Sequence, residues 1–176
     1  MDAANLKNLV RDIPDFPKKG IVFKDIMPLL GDKDALRYIV DAMFVHYFGT
    51  RIDKVVSAEA RGFILGPAVA YHLGAGFVPV RKPGKLPFKT KQITYDLEYG
   101  TDTLTIHEDA VRPGDNVLLI DDLLATGGTM AASAKLVEEL GAKVIGAGFI
   151  IELSFLKGRE KLSGYDVFSL MDYAAE

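Results

Sequence analysis

One stretch constrains this chain more than any other: Val117, Leu118, Leu119, Ile120, Asp121, Asp122, Leu123, Leu124, Ala125, Thr126, Gly127, Gly128, Thr129 and Met130. Four apolar residues at 117–120 predict a buried strand. Asp121 and Asp122 stand at its end, and small or hydroxyl residues lead from there into a helix. In an open parallel sheet, ligands bind beyond the carboxyl ends of the strands. A loop of Ala, Thr and Gly can wrap an anion with backbone N–H groups, reinforced by the helix N-terminus that follows. Adjacent carboxylates suit hydroxyl groups or a metal-bound ligand. The segment therefore predicts a phosphate at the loop with a polyol beside it. The loop has neither the Lys of a GxxxxGK[ST] motif nor a GxGxxG pattern, which disfavours triphosphate cleavage of that kind and dinucleotide binding. A plain turn with two helix-capping aspartates would not need five consecutive small or hydroxyl residues after them.

The rest of the chain supplies the sheet that such a segment needs. A β–α–β unit is predicted from a strand at 54–57, a helix around 63–73 and a strand at 76–80, with Pro67 in the helix's first turn and Gly74 as its stop. A second unit combines the strand at 117–120, a helix at 129–140 and a strand at 144–151. Met130, Ala134, Val137 and Leu140 form the helix's apolar face, Gly141 closes it, and 167–171 supplies a last strand. Strands alternating with helices define an α/β fold, a mostly parallel sheet covered on both faces. Upstream, Leu6, Leu9 and Val10 predict a short amphipathic helix ended by Pro14 and Pro17. Residues 20–25 read as extended, and Asp32 and Asp34 are candidate caps for a helix through Phe48. Residues 81–99, with Pro83, Gly84 and Pro87, read as a long functional loop, and 103–107 alternate as a half-buried strand before the turn at 112–115.

With 176 residues and no repeat or linker, one domain spanning 1–176 is expected. A net charge of −3 gives no indication of a nucleic-acid surface. The absence of cysteine excludes disulfides, thiol catalysis and cysteine-ligated metal. No run approaches the ~20 apolar residues of a membrane span, and residues 1–7 lack a signal-peptide pattern, so a cytoplasmic protein is expected.

Arg61, Arg81 and Lys85 follow the first two parallel strands, on the side where the small-residue loop lies. Any one of them alone reads as surface charge; together they predict a diphosphate site, for which guanidinium and ammonium groups are suitable partners. Glu98, among Tyr95, Leu97 and Tyr99, is the candidate for proton transfer from a loop whose apolar side chains can cover a ligand. His46, His72 and His107 have no metal-ligand spacing, and Ser154 and Ser163 have no base nearby in sequence.

The strand, acidic pair and Ala-Thr-Gly-Gly-Thr loop resemble the phosphoribosyl pyrophosphate (PRPP) motif of the type I phosphoribosyltransferase family. Asp15-Phe16-Pro17, the segments at 57–63, 81–87 and 94–100, and Leu156-Lys157-Gly158-Arg159-Glu160-Lys161-Leu162 extend the resemblance, from about 15 to 170, to the family's adenine-using branch. The resemblance implies a central sheet flanked by helices, a small hood to which residues up to about 30 contribute, and a flexible catalytic loop. It places Ala125, Thr126, Gly127, Gly128 and Thr129 on the 5′-phosphate and Asp121 and Asp122 on the ribose hydroxyls. It places Glu59, Ala60, Arg61, Arg81 and Lys85 at pyrophosphate, with backbone donors around Glu59 and Ala60 and with Arg81 reaching across a dimer interface. Ile21, Val22 and Lys24 are implied to line the base pocket, with Phe23 in the core, and Lys24 stands where many relatives carry Arg. Glu98 and Tyr99 are implied to be catalytic, with Tyr99 shielding the reacting centre. The implied reaction moves 5-phosphoribosyl from PRPP to adenine in a homodimer. Mg²⁺ rides on the PRPP and pyrophosphate oxygens, with no direct protein ligand assigned. The alternatives are the same transfer to another purine or, from another class, a non-catalytic PRPP-sensing regulator.

Overall fold

The structure, a computed structural model, describes residues 3–96 and 100–175. Strands β3 (Lys54–Ala58), β4 (Gly76–Val80), β7 (Asn116–Leu124), β8 (Lys143–Leu153) and β9 (Asp166–Tyr173) form a five-stranded sheet in the order β4-β3-β7-β8-β9. Every neighbouring pair is parallel. Two antiparallel ribbons stand outside it: β1 (Arg11–Ile13) with β2 (Phe23–Asp25), and β5 (Thr90–Asp96) with β6 (Thr101–His107).

The strand order creates a crevice. From β3 the chain crosses through helix α4 (Gly62–Leu73) to β4 on one side, and from β7 through α5 (Gly128–Glu139) to β8 on the other. The β3–β7 seam is thus the switch point of the sheet, where the two following loops diverge and leave room for a ligand. Pairing there runs only from Lys54↔Val117 to Val56↔Leu119, although β3 continues to Ala58 and β7 to Leu124. Past Leu119, β7 pairs only with β8, up to Leu124↔Glu152. Asp121 and Asp122 therefore lie inside a strand, not at its end as expected, because β8 keeps supplying hydrogen-bond partners.

Period-two alternation sends successive side chains to opposite faces. Leu119 and Val56 join Met130, Ala134, Val137 and Phe149 under α5. Leu118, Ile120 and Val55 pack with Leu65, Val69 and the residues Ile39, Val40 and Met43 of α3 (Lys33–Tyr47). The predicted α/β fold with both faces covered is the observed one. Asp32 caps α3, its carboxylate accepting from the N–H groups of Asp34 (3.0 Å) and Ala35 (2.8 Å), while Asp34 sits in the first turn. Gly74, at φ 67°, ends α4 as predicted. No helix among the described residues is long and apolar enough to cross a membrane.

Several local expectations are corrected. The N-terminal helix α1 (Ala3–Lys7) stops before Leu9 and Val10, which pack partly buried against the core from a turn, and β1 then pairs with β2. A five-residue helix, α2 (Met27–Gly31), precedes α3. Pro67 falls in the second turn of α4, because the helix begins at Gly62; its missing N–H leaves the Phe63 carbonyl without the usual donor. Seven of the nineteen residues of the expected loop at 81–99 form strand β5. Ile93 and Tyr95 pack on the core while Gln92 and Thr94 face solvent, an alternation with only two apolar markers.

The capping geometry predicts that Asp32→Ala lowers stability by about 1 kcal/mol. In a chain of this size that corresponds to a fall of roughly 2–4 °C in Tm, read by thermal melting. An unchanged Tm would contradict the cap.

Candidate active site

A cleft of about 250 Å³ opens where β3 and β7 separate. Its walls are the loop after β3 (Glu59, Ala60, Arg61), the end of β7 (Asp121 to Leu124) and the turn into α5 (Ala125 to Met130). The fold thus brings the phosphate loop, the acidic pair and part of the expected diphosphate loop into one site.

The turn works through its backbone. Gly127 has φ 77°, and it precedes α5 without any side-chain cap, leaving the first N–H groups of the helix free for a ligand. A Cβ on Gly127 would run into the carbonyl of Gly158, and one on Gly158 into the carbonyl of Ala125. The loop is therefore braced, backbone on backbone, by the 3₁₀ turn Gly158–Leu162. No role for Gly158 is legible in the sequence, because a contact between distant loops leaves no periodicity.

The carboxylates are held against their preference. Asp122 is buried, and its N–H donates to Asp121 Oδ1 at 2.9 Å. Burial first, and then the charge of Asp122, push the Asp121 carboxyl well above the usual range. Burial also raises Asp122, against the opposing pull of Arg61. Arg61 Nε stands 2.9 Å from Asp122 Oδ2, an ion pair without hydrogen-bond alignment, so that oxygen is buried with no hydrogen-bond partner. The Arg61 guanidinium also lies 5.0 Å over the Phe23 ring.

The three expected cations do not converge equally. Arg61 lines the cleft. Arg81 is tied within its own chain, with Nε 2.9 Å from Glu59 Oε2 and Nη1 3.2 Å from the Lys85 carbonyl. Glu59 also accepts the Lys82 N–H at 2.7 Å. Burial opposes ionisation of Glu59, but the Lys82 N–H and the Arg81 guanidinium outweigh it and hold the carboxyl below its usual range. The Glu59 carboxylate is thus occupied, and the Glu59–Ala60 peptide is cis. Lys85 is exposed outside the cleft walls.

On the N-terminal ribbon, Ile21 is exposed and Val22 half-buried. Lys24 is buried, its Nζ 2.8 Å from Asp12 Oδ1 and 4.6 Å from the centroid of the Tyr173 ring. The expectation of a core Phe23 is corrected: strand alternation turns Lys24 inward and leaves Phe23 half-exposed beneath Arg61. Period two along Phe23–Asp25 tells only that Phe23 and Lys24 face opposite ways, not which of them faces inward. Glu98 and Tyr99 lie outside the described residues. Among the described residues no cluster of three or more His, Asp or Glu could hold a metal ion.

A carboxylate-bearing strand, an uncapped glycine turn and the loop carrying Arg61 are thus gathered at the switch point of the sheet. The phosphoribosyl transferase domain family matches residues 32–172, and the chain belongs to the phosphoribosyltransferase family. Its relatives include the adenine phosphoribosyltransferase of Acidobacterium capsulatum, 60% identical over 169 residues, covering 96% of this chain and 93% of the relative. The crystal structure of adenine phosphoribosyltransferase from Thermoanaerobacter pseudethanolicus superposes with a TM-score of 0.94 at 54% identity, covering 97% of this chain and 99% of that one. That of the Saccharomyces cerevisiae enzyme, complexed with adenine and an iminoaltritol bisphosphate, superposes at 0.90 with 43% identity, over 96% and 97% of the two chains.

The raised Asp121 carboxyl has a signed consequence. A carboxyl whose folded pKa lies above its unfolded value stabilises the fold when protonated, and that contribution is lost as pH rises through the folded pKa. Asp121→Asn should therefore stabilise the ligand-free protein at pH 7.5, on the order of 1–2 kcal/mol, or roughly 2–8 °C in Tm. The gain should shrink on acidification toward pH 4. A lower Tm at pH 7.5 would contradict this reading.

Proposed function

We propose that this chain transfers the 5-phosphoribosyl group from PRPP to adenine, giving AMP and pyrophosphate, a purine-salvage reaction. The observation that carries the reading is the Asp121–Asp122 pair set between the uncapped turn at 125–129 and Arg61. This spacing suits a ribose with a phosphate at one end and a diphosphate at the other. Adenine phosphoribosyltransferases at 60% and 54% identity to this chain support adenine as the acceptor.

In this reading the backbone N–H groups and hydroxyls of Ala125, Thr126, Gly127, Gly128 and Thr129 donate to the 5′-phosphate. Asp121 and Asp122 accept from the ribose 2′- and 3′-hydroxyls, which restores partners to the orphaned Asp122 Oδ2. Arg61 and the backbone of Glu59 and Ala60 hold pyrophosphate, with Arg81 and Lys85 adding positive potential from the next loop. The bond from the anomeric carbon to pyrophosphate breaks ahead of bond formation to the purine nitrogen, leaving positive charge on the ribose. Positioning, leaving-group stabilisation and exclusion of water then do more than a covalent nucleophile would. Glu98 receives the proton displaced from the purine imidazole, and Tyr99 shields the reacting carbon. The β1–β2 ribbon, with Ile21, Val22 and the backbone of Lys24, forms the hood over the base. The half-exposed Phe23 ring offers it a stacking face.

The donor set fits Mg²⁺ carried in by the substrate: hard carboxylate oxygens at the cleft wall, one without a hydrogen-bond partner, suit a cation that keeps much of its water. A bound Mg²⁺ would supply positive charge to the departing pyrophosphate. A homodimer accords with the apolar side chains exposed on and just beyond α3 and α4, namely Val45, Phe48, Ile64 and Tyr71. A highly charged donor that cannot cross a bilayer accords with a cytoplasmic reaction.

Incubation with PRPP and each purine base, with and without Mg²⁺, should yield AMP from adenine and little product from hypoxanthine, guanine or xanthine. PRPP binding without AMP formation would favour a sensor instead. Glu98→Gln should lower kcat roughly 10²–10⁴-fold; unchanged turnover would remove Glu98 from the reaction.

A further inference from the structure

A polar chain links two cleft-wall residues, Thr129 and Glu59, through Tyr95, Asp102 and Lys82, which lie outside the walls. Thr129 occupies the second position of α5, and its Oγ1 lies 3.0 Å from the Tyr95 hydroxyl on β5. That hydroxyl is also 3.3 Å from Asp102 Oδ2 on β6. Asp102 is independently satisfied by an ion pair with Lys82 Nζ and by the Thr103 N–H at 2.8 Å. Lys82 in turn donates its N–H to Glu59.

The Tyr95 hydroxyl has one proton and two oxygens to give it to. An ionised Asp102 only accepts, whereas Thr129 both donates and accepts. Without ligand, Tyr95 can donate to Asp102 and accept the Thr129 proton. A phosphate dianion at the turn is a stronger acceptor and draws the Thr129 proton to itself. Tyr95 can then turn its own proton to Thr129 Oγ1, and Asp102 loses nothing essential, because Lys82 and Thr103 still hold it. Hydrogen bonds in such a chain polarise one another. Burial, opposed by the Thr129 contact, moves the Tyr95 phenol further from ionisation, so its proton stays available.

We infer that Tyr95 is a positioning residue for the 5′-phosphate: by donating to Thr129 Oγ1 it aims the Thr129 hydroxyl at the phosphate. The inference rests on the proposed function and adds to it a residue that never touches the substrate. Tyr95→Phe keeps the ring that packs on the core and removes only the hydroxyl.

Calorimetric titration of AMP and of magnesium pyrophosphate into the wild type, Tyr95→Phe, Thr129→Val and the double variant tests it. AMP carries the 5′-phosphate and pyrophosphate does not. Tyr95→Phe should weaken AMP about fivefold, the scale of one hydrogen bond between two neutral hydroxyls, and leave pyrophosphate within twofold. In the Thr129→Val background the Tyr95 change should have no further effect, the non-additivity expected of a residue acting through its neighbour. AMP affinity equal to the wild type in Tyr95→Phe would overturn the inference, as would equal losses for AMP and pyrophosphate or additive losses in the double variant. Failure of the wild type to bind AMP would overturn the functional reading, and this inference with it.

Discussion

Two carboxylates are kept on a strand that has lost one of its neighbours. Where β3 and β7 part beyond Val56 and Leu119, Asp121 and Asp122 remain in the sheet only through β8. Arg61, the loop from Glu59 to Arg61 and the turn at 125–129 are all positioned by that separation. The arrangement is unfavourable for the empty protein. Burial raises both carboxyls, and Asp122 Oδ2 has no hydrogen-bond partner. Partly unsatisfied groups of this kind mark the places where a fold gives up stability for a site.

The surroundings hold this arrangement by backbone contact and by charge. Gly127 and Gly158 touch so closely that neither tolerates a Cβ, which ties the turn at 125–129 to the far end of the sheet. On the other side, Glu59 is locked by Arg81 and Lys82, and Lys82 continues through Asp102 and Tyr95 to Thr129. The loops expected at opposite ends of the substrate are thus joined by a continuous polar path behind the cleft. Such networks are rigid when every member is satisfied.

How much of this could be read in the sequence depended on distance along the chain. The two β–α–β units, the Asp32 cap and the Gly74 stop were legible, because hydrophobic period and capping chemistry are local. The acidic pair and the small-residue turn were legible for the same reason. Strand length was not: β7 extends past its apolar run because β8 pairs with it, a tertiary effect. The orientation of Phe23 and Lys24 depended on which face of the short ribbon meets Tyr173, and the near-even mix in β5 hid a strand. The Gly127–Gly158 and Tyr95–Thr129 contacts join segments about 30 residues apart, which no spacing rule records.

The central claim is that the segment from β7 into α5 holds the ribose 5-phosphate half of the substrate. A crystal structure grown with AMP tests it most directly. The account predicts the phosphate within hydrogen-bond distance of the backbone at 125–129, with the ribose hydroxyls against Asp121 and Asp122. A phosphate bound elsewhere, with the acidic pair still unpartnered, would contradict it.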